Sequence, residues 1–164
     1  MTRYRSIAIA LVAVAALLVG SAIASGAASV KIINFSAKYN GTATVKVTGE
    51  VVDSISAKGT GTGVPIGRGT IRGLGKGEAK PQPCNNWGGT GVLKGTKGTI
   101  TFKMLAGTQG CGDEEGNFFS IVGRAVVTKA TGKLAKAKGN LKVTGSYDRA
   151  AGTFTAKFTG KLKQ

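Results

Sequence analysis

Apolar and polar residues alternate with a period of two along much of this chain, and the pattern is clearest near its C-terminus. Between residues 154 and 162, Phe, Ala, Gly and Leu fall on one face, while Thr and Lys fall on the other. The segment 141–147 alternates in the same way, and the residues between the two segments include Asp148 and Gly152, which favour a turn. Because successive side chains of a β-strand point to opposite faces, these two segments predict a β-hairpin.

The same alternation recurs through the rest of the chain and predicts its fold class. It is found at residues 45–51 and 100–104, and in weaker form at 30–39 and 66–74. Residues 117–128 carry apolar side chains on both faces, which is expected of a central strand covered on both sides. Turn-forming residues follow about every ten positions, and there is no long amphipathic helix, so the sequence predicts an all-β fold. We expect an antiparallel closed barrel of about eight strands, with a β-sandwich as the alternative.

The N-terminus has the organisation of a secretory signal peptide. A basic start, an apolar run at residues 7–20 and small residues up to Ala24 follow one another. The apolar run is shorter than the roughly 20 residues that a membrane-spanning helix needs. We therefore expect residues 1–24 to be removed and residues 25–164 to form a single β-barrel domain, secreted from the cell or held at the cell envelope. No stable membrane span is then expected, and the alternative is an uncleaved N-terminus that serves as a short anchor.

Two cysteines, Cys84 and Cys111, lie in the expected mature domain. In an exported protein an even number of cysteines most simply forms disulfides, so we expect these two to be paired. The bond would close a loop of about 28 residues and stabilise the fold by about 3.6 kcal/mol in the chain-entropy model. The alternative is a pair of buried free thiols.

Lysine and arginine greatly outnumber the acidic residues. The sequence carries 23 Lys and Arg against 7 Asp and Glu, and its formal charge of +16 becomes +14 without the two arginines of residues 1–24. Four lysines lie close together, namely Lys129, Lys133, Lys136 and Lys138. They predict an anion-binding patch for anionic envelope polymers or acidic lipid surfaces, and the alternative is a solvated surface that discourages sheet aggregation. Nucleic acid is not an expected partner, because export separates the protein from the genome and few aromatic residues are available for stacking.

Histidine, which many catalytic and metal sites need, is missing from the sequence. Its absence excludes Ser-His-Asp and Cys-His nucleophiles and most zinc sites. Asp113, Glu114 and Glu115 form an acidic cluster, but their spacing is not that of a calcium loop, so a solvated acidic turn is expected. Residues 75–77 (GKG) lack the hydroxyl residue and the following helix of a phosphate-binding loop. We expect a protein that is not an enzyme and that binds no cofactor or metal.

The C-terminal third of the chain carries a sequence pattern that occurs in a known group of barrels. Residues 131–139 (TGKLAKAKG) are followed by the alternating segment 141–147, by Asp148 and by a closing strand at residues 152–160. Over these residues the chain resembles small secreted bacterial β-barrels, which look similar in turn to allene oxide cyclase-like and dirigent-like barrels. The resemblance implies an eight-stranded closed barrel, and several barrels of that shape bind or steer hydrophobic small molecules.

Two functions are consistent with these observations. The first is a secreted, non-enzymatic barrel with a binding or structural role at the cell envelope or outside the cell. The second is a cyclase- or dirigent-like barrel that binds or steers a hydrophobic small molecule in an apolar cavity, lined by Phe102, Phe118, Phe119, Arg124, Tyr147, Phe154 and Phe158. An open cavity with a buried acid or Arg124 would favour the second function, and a core filled by side chains would favour the first. A barrel that spans an outer membrane is least expected, because aromatic residues for its girdles are few.

Overall fold

The computed structural model describes residues 29–164, which form nine β-strands and a short 3₁₀ helix at Gly132–Leu134. The strands are β1 (Ile32–Thr48), β2 (Val51–Val64), β3 (Gly67–Glu78), β4 (Cys84–Gly95), β5 (Gly98–Met104), β6 (Gln109–Gly112), β7 (Phe118–Ala130), β8 (Asn140–Asp148) and β9 (Thr153–Lys163). This content confirms the predicted all-β fold. The expected signal peptide, residues 1–24, lies outside the described residues.

Apart from β5 and β6, consecutive strands are antiparallel neighbours around a closed barrel. Strands β1 to β4 pair in sequence order, β7 to β9 do the same, and β9 pairs with β1. Strands β5 and β6 share one position between β4 and β7, each of them paired with a different end of those two strands. The result is the predicted eight-stranded antiparallel barrel, with β6 as an extra strand. Because one continuous sheet closes on itself, the β-sandwich alternative is wrong.

The predicted C-terminal hairpin is formed by β8 and β9. Ser146 lies opposite Thr155, and their hydroxyl oxygens are 2.9 Å apart. The Asp148 carboxylate holds the turn by accepting a 2.9 Å hydrogen bond from the Ala151 N–H. Gly152 ends the turn with a φ of +62°, which residues with a side chain rarely adopt. The turn residues that predicted the hairpin therefore also hold its geometry.

The two ends of the barrel differ, and we call them the base and the mouth. The base comprises the β2–β3 and β4–β5 turns, residues 131–139, the start of β1 and the end of β9. The mouth comprises the connections that follow β1, β3, β6 and β8. Buried side chains fill the base half, among them Ile33, Phe35, Ile66, Leu93, Ile100, Leu134, Leu141 and Leu162. This packed half is the main hydrophobic core of the described residues.

Strand β7 is not covered on both sides, so that sequence prediction is wrong. Its inward phase includes the buried Ala125 and Val127, but Phe118 is 49 % exposed and Val122 is 56 % exposed. The physical reason is the closed barrel, which has one interior and leaves the outer face of every strand in contact with solvent unless another element covers it.

Candidate functional site

The mouth half of the barrel encloses an apolar cavity of about 790 Å³ that is open to solvent. The inner faces of the strands make its wall, and the connections at the mouth form its rim. Strands β1 and β2 contribute aliphatic side chains to the wall, namely Ala43, Val45, Val47, Val52, Ile55 and Ala57. The volume lies within the range of about 300–1,000 Å³ that is typical of small-molecule sites.

Several inward positions at the cavity carry no side chain or only a small one. Gly75 on β3 lies directly opposite Gly89 on β4, and Gly145 on β8 lies opposite Ala156 on β9. All four border the cavity, so backbone forms part of its wall. In the base half, leucine and isoleucine side chains fill the equivalent space.

Aromatic rings form the deep part of the cavity. Phe102 and Phe158 both border it, and their ring centroids are 5.0 Å apart. Tyr39 packs edge-on against Phe158 with a centroid distance of 6.3 Å. The Tyr39 hydroxyl is buried and has no hydrogen-bond partner within residues 29–164. This burial raises the pKa of Tyr39 to about 12, so the side chain is neutral at physiological pH.

The rim carries aromatic and charged groups. Phe119 and Tyr147 lie opposite each other on β7 and β8, with ring centroids 6.2 Å apart. Glu78 accepts a 2.8 Å hydrogen bond from the Lys80 ammonium and one of 3.2 Å from the Asn86 side-chain amide. The hydrogen bond from Lys80 is the main cause that lowers the pKa of Glu78, and the same bond raises the pKa of Lys80. Both groups are therefore charged at neutral pH.

A disulfide between Cys84 and Cys111 lies at the mouth, as predicted. Cys84 on β4 is directly opposite Cys111 on β6, and their Cα atoms are 4.0 Å apart. The bond attaches the short strand β6 to the barrel. Trp87, the single tryptophan of the chain, follows on β4 and borders the cavity.

The acidic cluster forms a turn at the mouth. The Asp113 carboxylate accepts hydrogen bonds of 2.9 Å from the Asn117 N–H and 3.2 Å from the Phe118 N–H. Glu114 and Glu115 are exposed beside it. No group of three or more potential metal-ligating side chains occurs among residues 29–164. Asp113 therefore acts here as the residue that closes the β6–β7 turn.

The structure places five of the seven predicted lining residues at the cavity, and two predictions are wrong. The five residues at the cavity are Phe102, Phe119, Tyr147, Phe154 and Phe158. Phe118 and Arg124 instead lie on the outer face of β7 and are exposed. They share the strand phase opposite to that of Phe119, and in a barrel only one phase faces the interior. Arg124 lies across from Lys142, so two cations are neighbours there.

The predicted lysine patch lies at the opposite end from the cavity. Lys129 ends the outer face of β7, and Lys133, Lys136 and Lys138 follow in and after the 3₁₀ helix. All four side chains are exposed. The patch and the cavity are therefore two separate surfaces of one barrel.

Sequence reasoning missed the aliphatic and glycine positions of the wall. The available signal was glycine on the inward phase of β3, where larger residues would otherwise project into the barrel. That signal is ambiguous on its own. A Cβ at Gly73 would meet nothing closer than 3.7 Å, whereas one at Gly69 would collide with the Lys94 carbonyl oxygen. The register in which β3 pairs with β4 is needed to tell a glycine that faces open space from one that lies against neighbouring backbone.

Comparison with known proteins assigns no family to this chain. No protein-family model matches the sequence, and a search of curated proteins finds no match. In the described part of the chain, no helix is both long enough and apolar enough to cross a membrane.

Proposed function

We propose that this protein is an exported, non-enzymatic barrel that binds a hydrophobic small molecule in its mouth cavity. The observation that carries the proposal is the open apolar cavity of about 790 Å³. Removing apolar surface from water contributes about 25 cal/mol per Å². A ligand that covers the cavity wall would gain affinity in this way, while the rim groups would contact its polar end.

The positions of the charged groups support binding rather than catalysis. Those that border the cavity belong to the rim, namely Glu78, Lys80, Asp113 and Arg149. The deeper wall is aliphatic and aromatic, and Arg124 lies on the outer face. A general acid or base must come within hydrogen-bond reach of the reacting atom. This arrangement favours holding a ligand over the cyclase- or dirigent-like alternative.

The disulfide supports an exported location. Disulfides persist in oxidising compartments and are rare in the cytosol, and Cys84 is bonded to Cys111 here. This agrees with the signal peptide predicted for residues 1–24. N-terminal sequencing of the protein recovered from the culture medium tests export, and we expect it to begin at Ser25. Recovery with Met1 intact in the envelope fraction would instead support the uncleaved anchor.

The cavity can be tested by filling it from one position. Gly73 borders the cavity, and its surroundings leave room for a Cβ without a backbone collision. We expect Gly73→Leu to weaken binding of the neutral dye N-phenyl-1-naphthylamine by about tenfold or more, which corresponds to about 1.4 kcal/mol. Dye fluorescence and quenching of Trp87 report the binding. A neutral dye is needed because the cationic surface attracts anionic ones.

Gly88→Leu is the matched control. Gly88 is on the adjacent strand, a Cβ there would meet nothing within 4 Å, and the residue does not border the cavity. This variant should bind the dye like the wild-type protein. Unchanged dye binding in Gly73→Leu would refute the proposal. If circular dichroism shows that Gly73→Leu does not fold, Ala156→Leu repeats the test from β9.

A further inference from the structure

All seven acidic residues of the chain lie toward the mouth of the barrel. They occupy the β1–β2 turn, the first residues of β2, the end of β3, the β6–β7 turn and the end of β8, as Glu50, Asp53, Glu78, Asp113, Glu114, Glu115 and Asp148. Within residues 29–164, the base therefore carries cations and no carboxylate side chain. The barrel has a charge gradient along its axis, and the base is its positive end.

Backbone contacts at the base gather lysines that are distant in the sequence. The Lys133 N–H donates a 2.8 Å hydrogen bond to the carbonyl oxygen of Lys97 in the β4–β5 turn. Lys138 and Lys163 lie opposite each other and exchange two backbone hydrogen bonds of 2.8 Å. These four side chains and that of Lys136 are exposed. Because like charges opposite each other are destabilising, an anionic partner would relieve this repulsion.

Ion pairs within the described residues do not relieve it. The single salt bridge in residues 29–164 joins Glu78 to Lys80 at the mouth. Lys136 also has a φ of +67°, a left-handed conformation that residues other than glycine rarely adopt. Strained residues of this kind are concentrated at functional surfaces. The base therefore combines unneutralised charge with local backbone strain.

Exposed aliphatic side chains lie at the same end as these lysines. Val30 is 64 % exposed, Ile32 is 51 % exposed and Val64 is 69 % exposed. Val30 lies just before β1, Ile32 is the first residue of β1 and Val64 is the last residue of β2, so all three lie at the base. A soluble polyanion would match the lysines but would leave these side chains in water. An anionic bilayer matches both, because its headgroups attract lysines and its interface accepts aliphatic groups.

We infer that the base docks on an anionic phospholipid bilayer with the mouth directed away from it. The docking surface consists of Lys97, Lys133, Lys136, Lys138, Lys163, Val30, Ile32 and Val64. The carboxylates at the mouth oppose the reverse orientation, since anionic headgroups repel them. In this orientation the cavity opens toward the aqueous phase. The inference does not depend on the proposed ligand, because it concerns the opposite end of the barrel.

Vesicle sedimentation with the protein that begins at Ser25 tests the docking. We expect binding to phosphatidylcholine vesicles that contain phosphatidylglycerol, weakening as salt is added, and none to phosphatidylcholine alone. Each lysine near an anionic surface changes the partition constant by about fivefold. Exchanging four base lysines for Gln should therefore reduce binding by about a hundredfold or more. The four are Lys97, Lys133, Lys138 and Lys163.

A second set of four lysines provides a control with the same change in charge. These residues are exposed and lie on the outer wall away from the base, namely Lys46, Lys58, Lys76 and Lys103. Exchanging them for Gln should reduce vesicle binding by less than about tenfold, since each lies five or more residues along its strand from the base and charge interactions with the bilayer are screened beyond a Debye length of about 8–10 Å. Equal losses in the two variants, or strong binding to phosphatidylcholine alone, would overturn the inference.

The exposed aliphatic residues separate a bilayer from a soluble polymer. Exchanging Val30, Ile32 and Val64 for Ser should weaken vesicle binding by about tenfold and leave binding to inorganic polyphosphate unchanged. If the variant with these three exchanges binds both polyphosphate and vesicles as tightly as the wild-type protein does, the partner is a soluble polyanion and the bilayer is refuted. Thermal unfolding of each variant shows that it is folded under the assay conditions.

Discussion

Tyr39 places an unpaired hydroxyl group in the core, and its removal should stabilise the protein. The side chain is 0 % exposed and packs against Phe158, and the hydroxyl has no hydrogen-bond partner among the described residues. A buried polar group left unsatisfied costs about 1–3 kcal/mol. Tyr39→Phe keeps the ring and removes that cost, so we expect the free energy of unfolding at pH 7 to rise by about 1–3 kcal/mol.

The advantage of Tyr39→Phe should grow at alkaline pH. Burial raises the pKa of Tyr39 to about 12 in the folded protein, against about 10 in an unfolded chain. Between these values the unfolded chain releases a proton that the folded protein retains, so the free energy of unfolding falls as pH rises. The loss begins near pH 10, is complete above about pH 12 and amounts to about 3 kcal/mol. The Phe variant lacks it.

Urea unfolding followed by Trp87 fluorescence measures both effects. Wild type and Tyr39→Phe are compared at pH 7 and at steps up to about pH 11. The titration of all other groups contributes equally to both proteins, so it cancels in the difference between their free energies of unfolding. Tyr147→Phe serves as a control at pH 7, because Tyr147 is only half-buried at the rim and its exchange should change stability by less than about 0.5 kcal/mol. A Tyr39→Phe protein that is less stable than wild type at pH 7 would refute the reasoning, since the hydroxyl would then make a favourable hydrogen bond.

Three further variants test other parts of the fold by urea or thermal unfolding. Exchanging Cys84 and Cys111 for Ser should lower the free energy of unfolding by about 3–4 kcal/mol, because the unfolded chain gains the conformational entropy of the loop that their bond closes. A loss below about 1 kcal/mol would contradict this entropic account. Lys136→Gly should raise the free energy of unfolding by about 1 kcal/mol, because glycine adopts the φ of +67° without strain. A lower free energy of unfolding would show that the lysine side chain stabilises the fold. Gly61→Ala should lower the free energy of unfolding by about 1–3 kcal/mol, because its Cβ would collide with the Lys38 carbonyl oxygen and would also lie 2.6 Å from Tyr39 Cδ1. An unchanged free energy of unfolding would mean that β1 and β2 move apart without cost.

Alternation in the sequence predicts an all-β fold and several of its strands, but it leaves a β-sandwich open beside the closed barrel and does not show the state of the interior. In β8, the inward phase from Leu141 to Tyr147 was legible because apolar and polar residues alternate without interruption. The phase identifies which face is inside. Whether the inward residues fill the interior depends on what lies across the barrel, and that is set by strand register. Gly69 and Gly73 share one face of β3, yet only Gly73 faces open space.

The sequence also does not show which of two adjacent aromatic residues on β7 faces the cavity. Phe118 and Phe119 are adjacent and aromatic, but the first lies on the outer wall and the second at the cavity. The lysine patch was visible as a local run ending at Lys138. Lys97 and Lys163 could not be added to it from the sequence, because hydrogen bonds between distant segments bring them to the base.

A barrel that is packed at one end and open at the other needs a different source of stability at each end. Cavities left in cores cost about 24 cal/mol per Å³, so a sealed and empty space of this size would cost about 19 kcal/mol. That exceeds the stability of about 5–15 kcal/mol of an ordinary domain. The cavity of about 790 Å³ is therefore filled by water or by a ligand, and its opening at the mouth lets either of them enter. Side chains cannot hold the mouth together as they hold the base. The Cys84–Cys111 bond and the turn closed by Asp113 lie where that apolar packing is missing.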